Sequence, residues 1–220
     1  MCFRNLKKPE GVMYLGCEGK GLPFASKFQK YTITDPLQVY EAFAKAETKP
    51  DIHTIIIDSI TYLMDMYETL YVLTAANTMK AWGDYAQFFK RLMAQYVATS
   101  TKNVLFTAHT MDILNEAEMV NETLVKVKGS LMNNGLESYF STVISTKKLP
   151  TKKLENFKSP LLTFTPDEES DCYKYCFQTR LTKETVNERI RSSLGMWSIA
   201  ETYIDNDIQL VLDRIHTYYK

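Results

Sequence analysis

The stretch His53–Met64, HTIIIDSITYLM, constrains this chain more than any other, because a run of three β-branched residues ends on a carboxylate and turns directly into a helix. Ile55, Ile56 and Ile57 show no polar alternation, the pattern of a parallel strand covered on both faces. Asp58 stands where that strand stops, and in an open α/β sheet ligands bind outside the carboxyl ends of the strands. From Ser59 onward, Ile60, Leu63, Met64, Tyr67, Leu70 and Tyr71 repeat at helical spacing. The pattern alone leaves two readings of Asp58: the N-cap of that helix, or an acid of a magnesium site.

Two further strands end the same way. Val12–Cys17, VMYLGC, runs into Glu18 and a Gly19-Lys20-Gly21 turn, and Asn103–Ala108, NVLFTA, runs into His109. Between the first two strands, Asp35 and Pro36 read as an N-cap and first helical position, with Leu37, Tyr40, Phe43 and Ala44 as the apolar stripe. A right-handed crossover through that helix makes the strands parallel, so Glu18 and Asp58 emerge at one sheet edge. Gly19-Lys20-Gly21 is no phosphate loop, since G-x-x-x-x-G-K-[ST] occurs nowhere in the chain.

The remaining segments are less periodic. Thr74–Asp84 reads as a surface loop with Asp84 capping a helix marked by Tyr85, Phe88, Phe89, Leu92 and Tyr96. Thr110–Asn134 reads as a long loop holding one short strand at most, the kind of excursion that is usually functional. Leu136–Phe140 is expected to be helical and Thr142–Thr146 a further strand. Lys147, Lys148, Lys152, Lys153 and Lys158 read as a solvated linker. Leu161–Phe164 and Tyr173–Thr179 are expected to be antiparallel strands around an acidic turn, PDEESD. A helix carrying Ile208, Val211, Leu212, Ile215 and Tyr218 closes the chain, while Met1–Leu6 reads as the tail of an element begun earlier.

Charge and cysteine usage exclude several classes. Lys plus Arg and Asp plus Glu each number 26 among 220 residues, so no overall basic field announces nucleic acid and such a contact must be local. No apolar run approaches the roughly 18 residues of a membrane span, and the first residues lack the order of a signal peptide, so a cytoplasmic protein is expected. Cys2, Cys17, Cys172 and Cys176 are scattered without zinc-site spacing and read as free thiols.

The ordered set of Glu18, Asp58-Ser59 and His109 at strand ends resembles the RecA-like ATPase core, in particular the small phage ATPases of recombination and single-strand annealing. IIIDSITYL resembles the Walker B strand and helix, VLFTAH the sensor strand, and YLGCEGKGLPF the second strand; KGSLMNNGLESYFS and RIRSSLGMW are similar to the phage branch. The resemblance implies one α/β domain over residues 1–220, a mostly parallel sheet flanked by helices with a C-terminal antiparallel extension. It implies ATP and Mg2+ as ligands: Asp58 on the metal directly or through water, Ser59 beside it, Glu18 orienting the attacking water, and His109 sensing the γ-phosphate. It further implies single-stranded DNA contacts at Trp82, Lys126 and Lys128, a homo-oligomeric ring or filament, and a trans-acting finger among Arg180, Lys183, Arg189 and Arg191.

The departure from the family is the phosphate cradle, because the Walker A strand and loop are absent from the sequence. In the family's strand order the missing strand would lie between Asn103–Ala108 and Thr142–Thr146. Three expectations follow: a fragment whose cradle lies upstream, a degenerate form in which those two strands pair directly, or a non-catalytic DNA-annealing subunit or structural partner of a complete ATPase.

Overall fold

A computed structural model describes residues 2–220, except for the side chains of Asn133 and Asn134. It divides into two compact units, one built from Lys8–Met111 and Leu124–Tyr139, the other from Met1–Lys7, Asp112–Thr123 and Phe140–Lys220.

The first unit is organised on a four-stranded parallel sheet. Its strands are β1 (Val12–Gly16), β2 (Gln29–Thr32), β3 (Thr54–Asp58) and β4 (Asn103–Phe106), in the order β2-β1-β3-β4. β1 is buried throughout, and Ile55, Ile56 and Ile57 of β3 are wholly inaccessible, as the unbroken apolar runs require. The register pairs Gly16 with Asp58 and Ile57 with Phe106, which levels the carboxyl ends of the three strands. β2 has no clear signal in the sequence: it is an outer strand of alternating burial, and only Tyr31 and the β-branched Thr32 favour it.

Three helices connect these strands. α1 (Gln38–Glu47) buries Val39, Phe43 and Ala46, with Asp35 accepting from the Leu37 N–H at 2.8 Å ahead of it. α2 (Ile60–Tyr67) widens into π-helical turns over Glu68–Val72, where Leu70 faces solvent and Val72 turns inward. α3 (Thr78–Arg91) widens likewise over Leu92–Val97 and buries Tyr85, Phe88, Phe89 and Leu92. Tyr40 of α1 stacks on Tyr96 at 4.5 Å, fixing one helix against the end of the other. The expected loop Thr74–Asp84 is therefore short: Asn77 rather than Asp84 caps α3, accepting from the Lys80 N–H, and Asp84 pairs with Lys80 one turn earlier. TMKA has ordinary helix propensity, and its polar surface disguised it as loop.

After β4 the chain forms a hairpin of β5 (Thr110–Asn115) and β6 (Val120–Val125), then α4 (Ser130–Asn134) and a 3-10 turn over Leu136–Tyr139. The long loop expected over Thr110–Asn134 is thus structured. Its alternation was obscured because only one side of β5 is half-covered.

The second unit carries an antiparallel sheet of β7 (Ser145–Pro150), β8 (Tyr173–Gln178) and β9 (Tyr203–Asp205), with short helices α5 (Thr151–Leu154) and α6 (Pro166–Asp171) and the C-terminal α7 (Ile208–Tyr218). The sheet has a core on each face. Phe177 and Ile204 pack with Met196, Trp197 and Val211, while Cys176 and Tyr203 pack with Leu154 and Leu162.

Several expectations are corrected here. The strand placed at Thr142–Thr146 is Ser145–Pro150, and its hydrogen-bonded partner is β8 in this separate sheet rather than β4. Lys147 and Lys148 lie in β7, and Lys152 and Lys153 in α5, rather than in a linker. PDEESD is a helix with Thr165 and Glu168 as its capping box, a signature the sequence carried. Leu161–Phe164 is not a strand, and residues 2–5 form turns rather than a helix tail; Met1 lies outside the described residues.

Candidate active site

Parallel strands deliver their carboxyl ends to one edge, and there β1, β3 and β4 place Glu18, Asp58 and the Thr107–His109 turn side by side. Three backbone bonds tie the turns together: Cys17 N–H to the Asp58 carbonyl at 2.8 Å, Thr107 N–H to the Ile57 carbonyl at 3.1 Å, and Ile60 N–H to the Thr107 carbonyl at 2.9 Å. The edge is therefore one hydrogen-bonded surface.

The two readings of Asp58 separate at this point. Ser59, not Asp58, caps α2, its hydroxyl accepting from the Tyr62 N–H. The Asp58–Ser59 peptide is cis. Asp58 instead receives a hydroxyl on each oxygen: the Tyr14 phenol donates to Oδ2 at 2.5 Å, and the Thr107 hydroxyl donates to Oδ1.

Glu18 is held by a second set of donors. The Ser59 hydroxyl donates to its Oε1 at 3.2 Å, and His109 Nε2 lies 3.1 Å from the same oxygen. Its Oε2 faces Lys20, whose ammonium is 3.8 Å away. His109 is fixed in turn: its N–H donates to the Thr61 hydroxyl at 3.0 Å, the Tyr62 ring meets its imidazole edge-on at 5.5 Å, and its carbonyl accepts from the Lys126 N–H at 2.8 Å. Half of the His109 side chain is exposed against a fifth of Glu18, so the pair opens to solvent on the imidazole side.

Burial, the Asp58 hydrogen bond and the nearby Asp58 and Glu18 charges push the Tyr14 phenol far above its ordinary range, which keeps it a donor. Burial first, then the same two carboxylates, pushes the Cys17 thiol up to about 12. At neutral pH that thiol is protonated and no nucleophile.

The residues expected to act together from the sequence, Glu18, Asp58, Ser59 and His109, are thus brought together. Tyr14, Thr61 and Thr107 were missed. The faint signal for Tyr14 was strand alternation, which sets Tyr14, Gly16 and Glu18 on one face. Among the described residues no group of three or more Asp, Glu, His or Cys is placed to hold a metal ion. A carboxylate offers about four lone-pair directions and the hydroxyls use two, so Asp58 keeps capacity for a cation that takes its other ligands from phosphate and water, the habit of Mg2+.

The remaining candidates lie elsewhere in their units. Trp82 is a half-buried residue of α3, edge-on to Tyr85 at 5.2 Å and beside Gly129. Lys128 pairs with Glu68 at 2.5 Å, and Lys126 is exposed. In the second unit Arg180 donates to the Trp197 carbonyl at 2.6 Å and Arg189 pairs with Glu122 at 2.9 Å, while Lys183 and Arg191 are exposed. No helix among the described residues is long and apolar enough to cross a membrane. No family model, curated protein or solved structure matches this chain.

Proposed function

We propose that the first unit is the catalytic edge of a RecA-like ATPase core that hydrolyses a magnesium-bound nucleoside triphosphate. One observation carries the reading. Glu18, Ser59 and His109 share hydrogen bonds at the carboxyl ends of neighbouring parallel strands, with Asp58 on the strand between them. In such a site Glu18 accepts a proton from, and orients, an attacking water through its Oε2, from which the Lys20 ammonium stands off at 3.8 Å, beyond hydrogen-bond reach. His109 holds the other oxygen of Glu18 and offers an exposed imidazole edge toward a phosphate. Asp58 and Ser59 would hold Mg2+ through water; the ion, when bound, neutralises charge developing on the phosphates.

The phosphate cradle comes from no G-x-x-x-x-G-K-[ST] sequence in these 220 residues, so nucleotide affinity is expected to be low and best measured at millimolar ATP. The resemblance adds single-stranded DNA and self-assembly to the proposal, in phage recombination or annealing.

The test is phosphate release and nucleotide binding by the purified chain, with and without Mg2+ and single-stranded DNA. Wild-type protein is expected to bind and turn over ATP only with Mg2+, and Glu18→Gln to bind while losing roughly 10²- to 10⁴-fold in turnover. Absence of Mg2+-dependent binding at millimolar ATP refutes the reading. Retention of single-stranded DNA by such a protein would favour a non-catalytic annealing subunit.

A further inference from the structure

Asp58 receives a hydroxyl on each of its two oxygens, from Tyr14 on β1 to one side of its strand and from Thr107 just after β4 on the other. The Tyr14 route depends on a missing side chain. Tyr14 and Gly16 share a face of β1, and Gly16 is paired in register with Asp58. A Cβ built on Gly16 would meet Tyr14 Cε1 at 3.1 Å, so the phenol ring lies across the space that a side chain would fill. Only by lying there does a residue two positions before the end of β1 reach a carboxylate at the end of β3. Thr107 needs no such provision, because it follows β4 directly and its N–H is already bonded to Ile57.

We infer that Tyr14 and Thr107 are positioning residues that clamp the Asp58 carboxylate from both sides, with Gly16 as the gap that admits the tyrosine, and that this clamp sets the affinity of the site for its divalent cation. The inference rests on the nucleotide reading and deepens it. With one oxygen held by Tyr14 of β1 and the other by Thr107 after β4, the carboxylate is restrained from rotating, and two of its lone-pair directions remain for a cation. A carboxylate free to rotate would lose that restraint, and outer partners of this kind typically govern metal affinity by roughly 10-fold to 100-fold.

The test uses the full chain in two measurements. The first is the Mg2+ concentration giving half-maximal nucleotide binding or turnover, set against the half-saturating ATP concentration at excess Mg2+. Tyr14→Phe, Gly16→Ala and Thr107→Val are each expected to raise the Mg2+ requirement roughly 10-fold to 100-fold while changing the ATP requirement by less than about threefold. Thr107→Ser, which keeps the hydroxyl, is expected to restore the wild-type value. Tyr71→Phe is the control: it deletes a comparable 2.6 Å phenol-to-carboxylate bond, to Asp35, elsewhere in the same unit, and is expected to leave the Mg2+ requirement unchanged. An unchanged requirement in Tyr14→Phe and Gly16→Ala, or an equal rise in Tyr71→Phe, overturns the positioning role.

The second measurement needs no nucleotide. The Tyr14 hydroxyl proton is expected to exchange slowly enough for detection by NMR in wild-type protein and to be lost in Asp58→Ala. Its persistence there means the phenol is bonded elsewhere, and the clamp falls. Wild-type protein without Mg2+-dependent nucleotide binding overturns the proposed function and the positioning role together, whatever the hydroxyl signal shows.

Discussion

The hydrogen bond between Ser59 and Glu18 joins the turn after β3 to the end of the strand beside it, and its strength can be measured without reference to catalysis. Ser59 does two things at once: its oxygen accepts from the Tyr62 N–H at 3.5 Å as the cap of α2, and its hydroxyl donates to Glu18 at 3.2 Å. Loss of a helix cap costs about 0.5–2 kcal/mol, and the long cap bond places this one near the low end, about 0.5 kcal/mol. A half-buried hydrogen bond to a carboxylate contributes about 1 kcal/mol net. Ser59→Ala is therefore expected to destabilise the first unit by about 1.5 kcal/mol in wild type but only by about 0.5 kcal/mol in a Glu18→Ala background, a coupling of about 1 kcal/mol.

Urea unfolding followed by tryptophan fluorescence reads this cleanly. Trp82 belongs to the first unit and Trp197 to the second, so in a Trp197→Phe background Trp82 reports the site-bearing unit alone. Equal cost of Ser59→Ala in both backgrounds would show that the serine serves the helix only. Glu18 would then be oriented by His109 without it, and the convergence that carries the functional reading would lose one of its two supports.

Three further outcomes follow from the geometry. Burial raises the Glu168 carboxyl, but the Lys174 ammonium at 2.7 Å and the Thr165 N–H outweigh it and leave the group below its ordinary range. The second unit should therefore hold this stabilisation above the unfolded carboxyl value of about 4.3 and lose it as pH falls through the lowered one. In Lys174→Met, acid unfolding between about pH 5 and pH 3 is expected to flatten, and an unchanged acid limb counts against the pair. Gly129 has φ +63°, and a Cβ there would meet the Trp82 ring at 3.3 Å, so Gly129→Ala should cost about 1–3 kcal/mol and shift Trp82 emission; an unshifted spectrum refutes the contact. Burial pushes the Cys17 thiol up to about 12 and the Cys176 thiol up to about 11, whereas Cys172 is exposed. A disulfide reagent at pH 8 is expected to modify Cys172 quickly and those two thiols only on unfolding, and fast labelling of Cys17 would contradict the buried edge.

The first unit was legible because its strands announce themselves: VMYLG, TIIID and NVLF are apolar on both faces, and such runs have few alternatives to a parallel sheet. The elements that were misread are all half-covered or terse. β2 and β5 alternate between half-covered and exposed over four to six residues, β6 is buried only at Leu124 and Val125, and the first turn of α3 holds no apolar residue that must be hidden except Ala81. Local pattern fails where burial is partial, since the signal it reads is burial. The antiparallel sheet of β7, β8 and β9 was legible in part, β8 being the strand expected at Tyr173–Thr179, whereas β7 was misplaced and β9 escaped for a different reason. The sheet's core residues, Phe177, Trp197, Ile204 and Val211, are brought together from distant segments, and periodicity within any one of them is blind to that assembly.

The site divides along the same line. Glu18, Asp58 and His109 were found because each is the first polar residue, or nearly so, after an apolar run, and position at a strand end is a sequence property. Tyr14 and Thr107 escaped because their importance lies across strands, in a register that only pairing reveals. A tyrosine inside VMYLG reads as one more strand residue until Gly16 beside it and Asp58 opposite Gly16 are seen together. What makes Asp58 a candidate metal acid is then not its placement at the strand end alone, which a helix cap explains equally well. Ser59 takes over the cap, and both carboxylate oxygens are held instead by the Tyr14 and Thr107 hydroxyls. The discriminating information sits in three hydroxyl-bearing residues, Tyr14 and Thr107 that hold the acid and Ser59 that takes the cap from it.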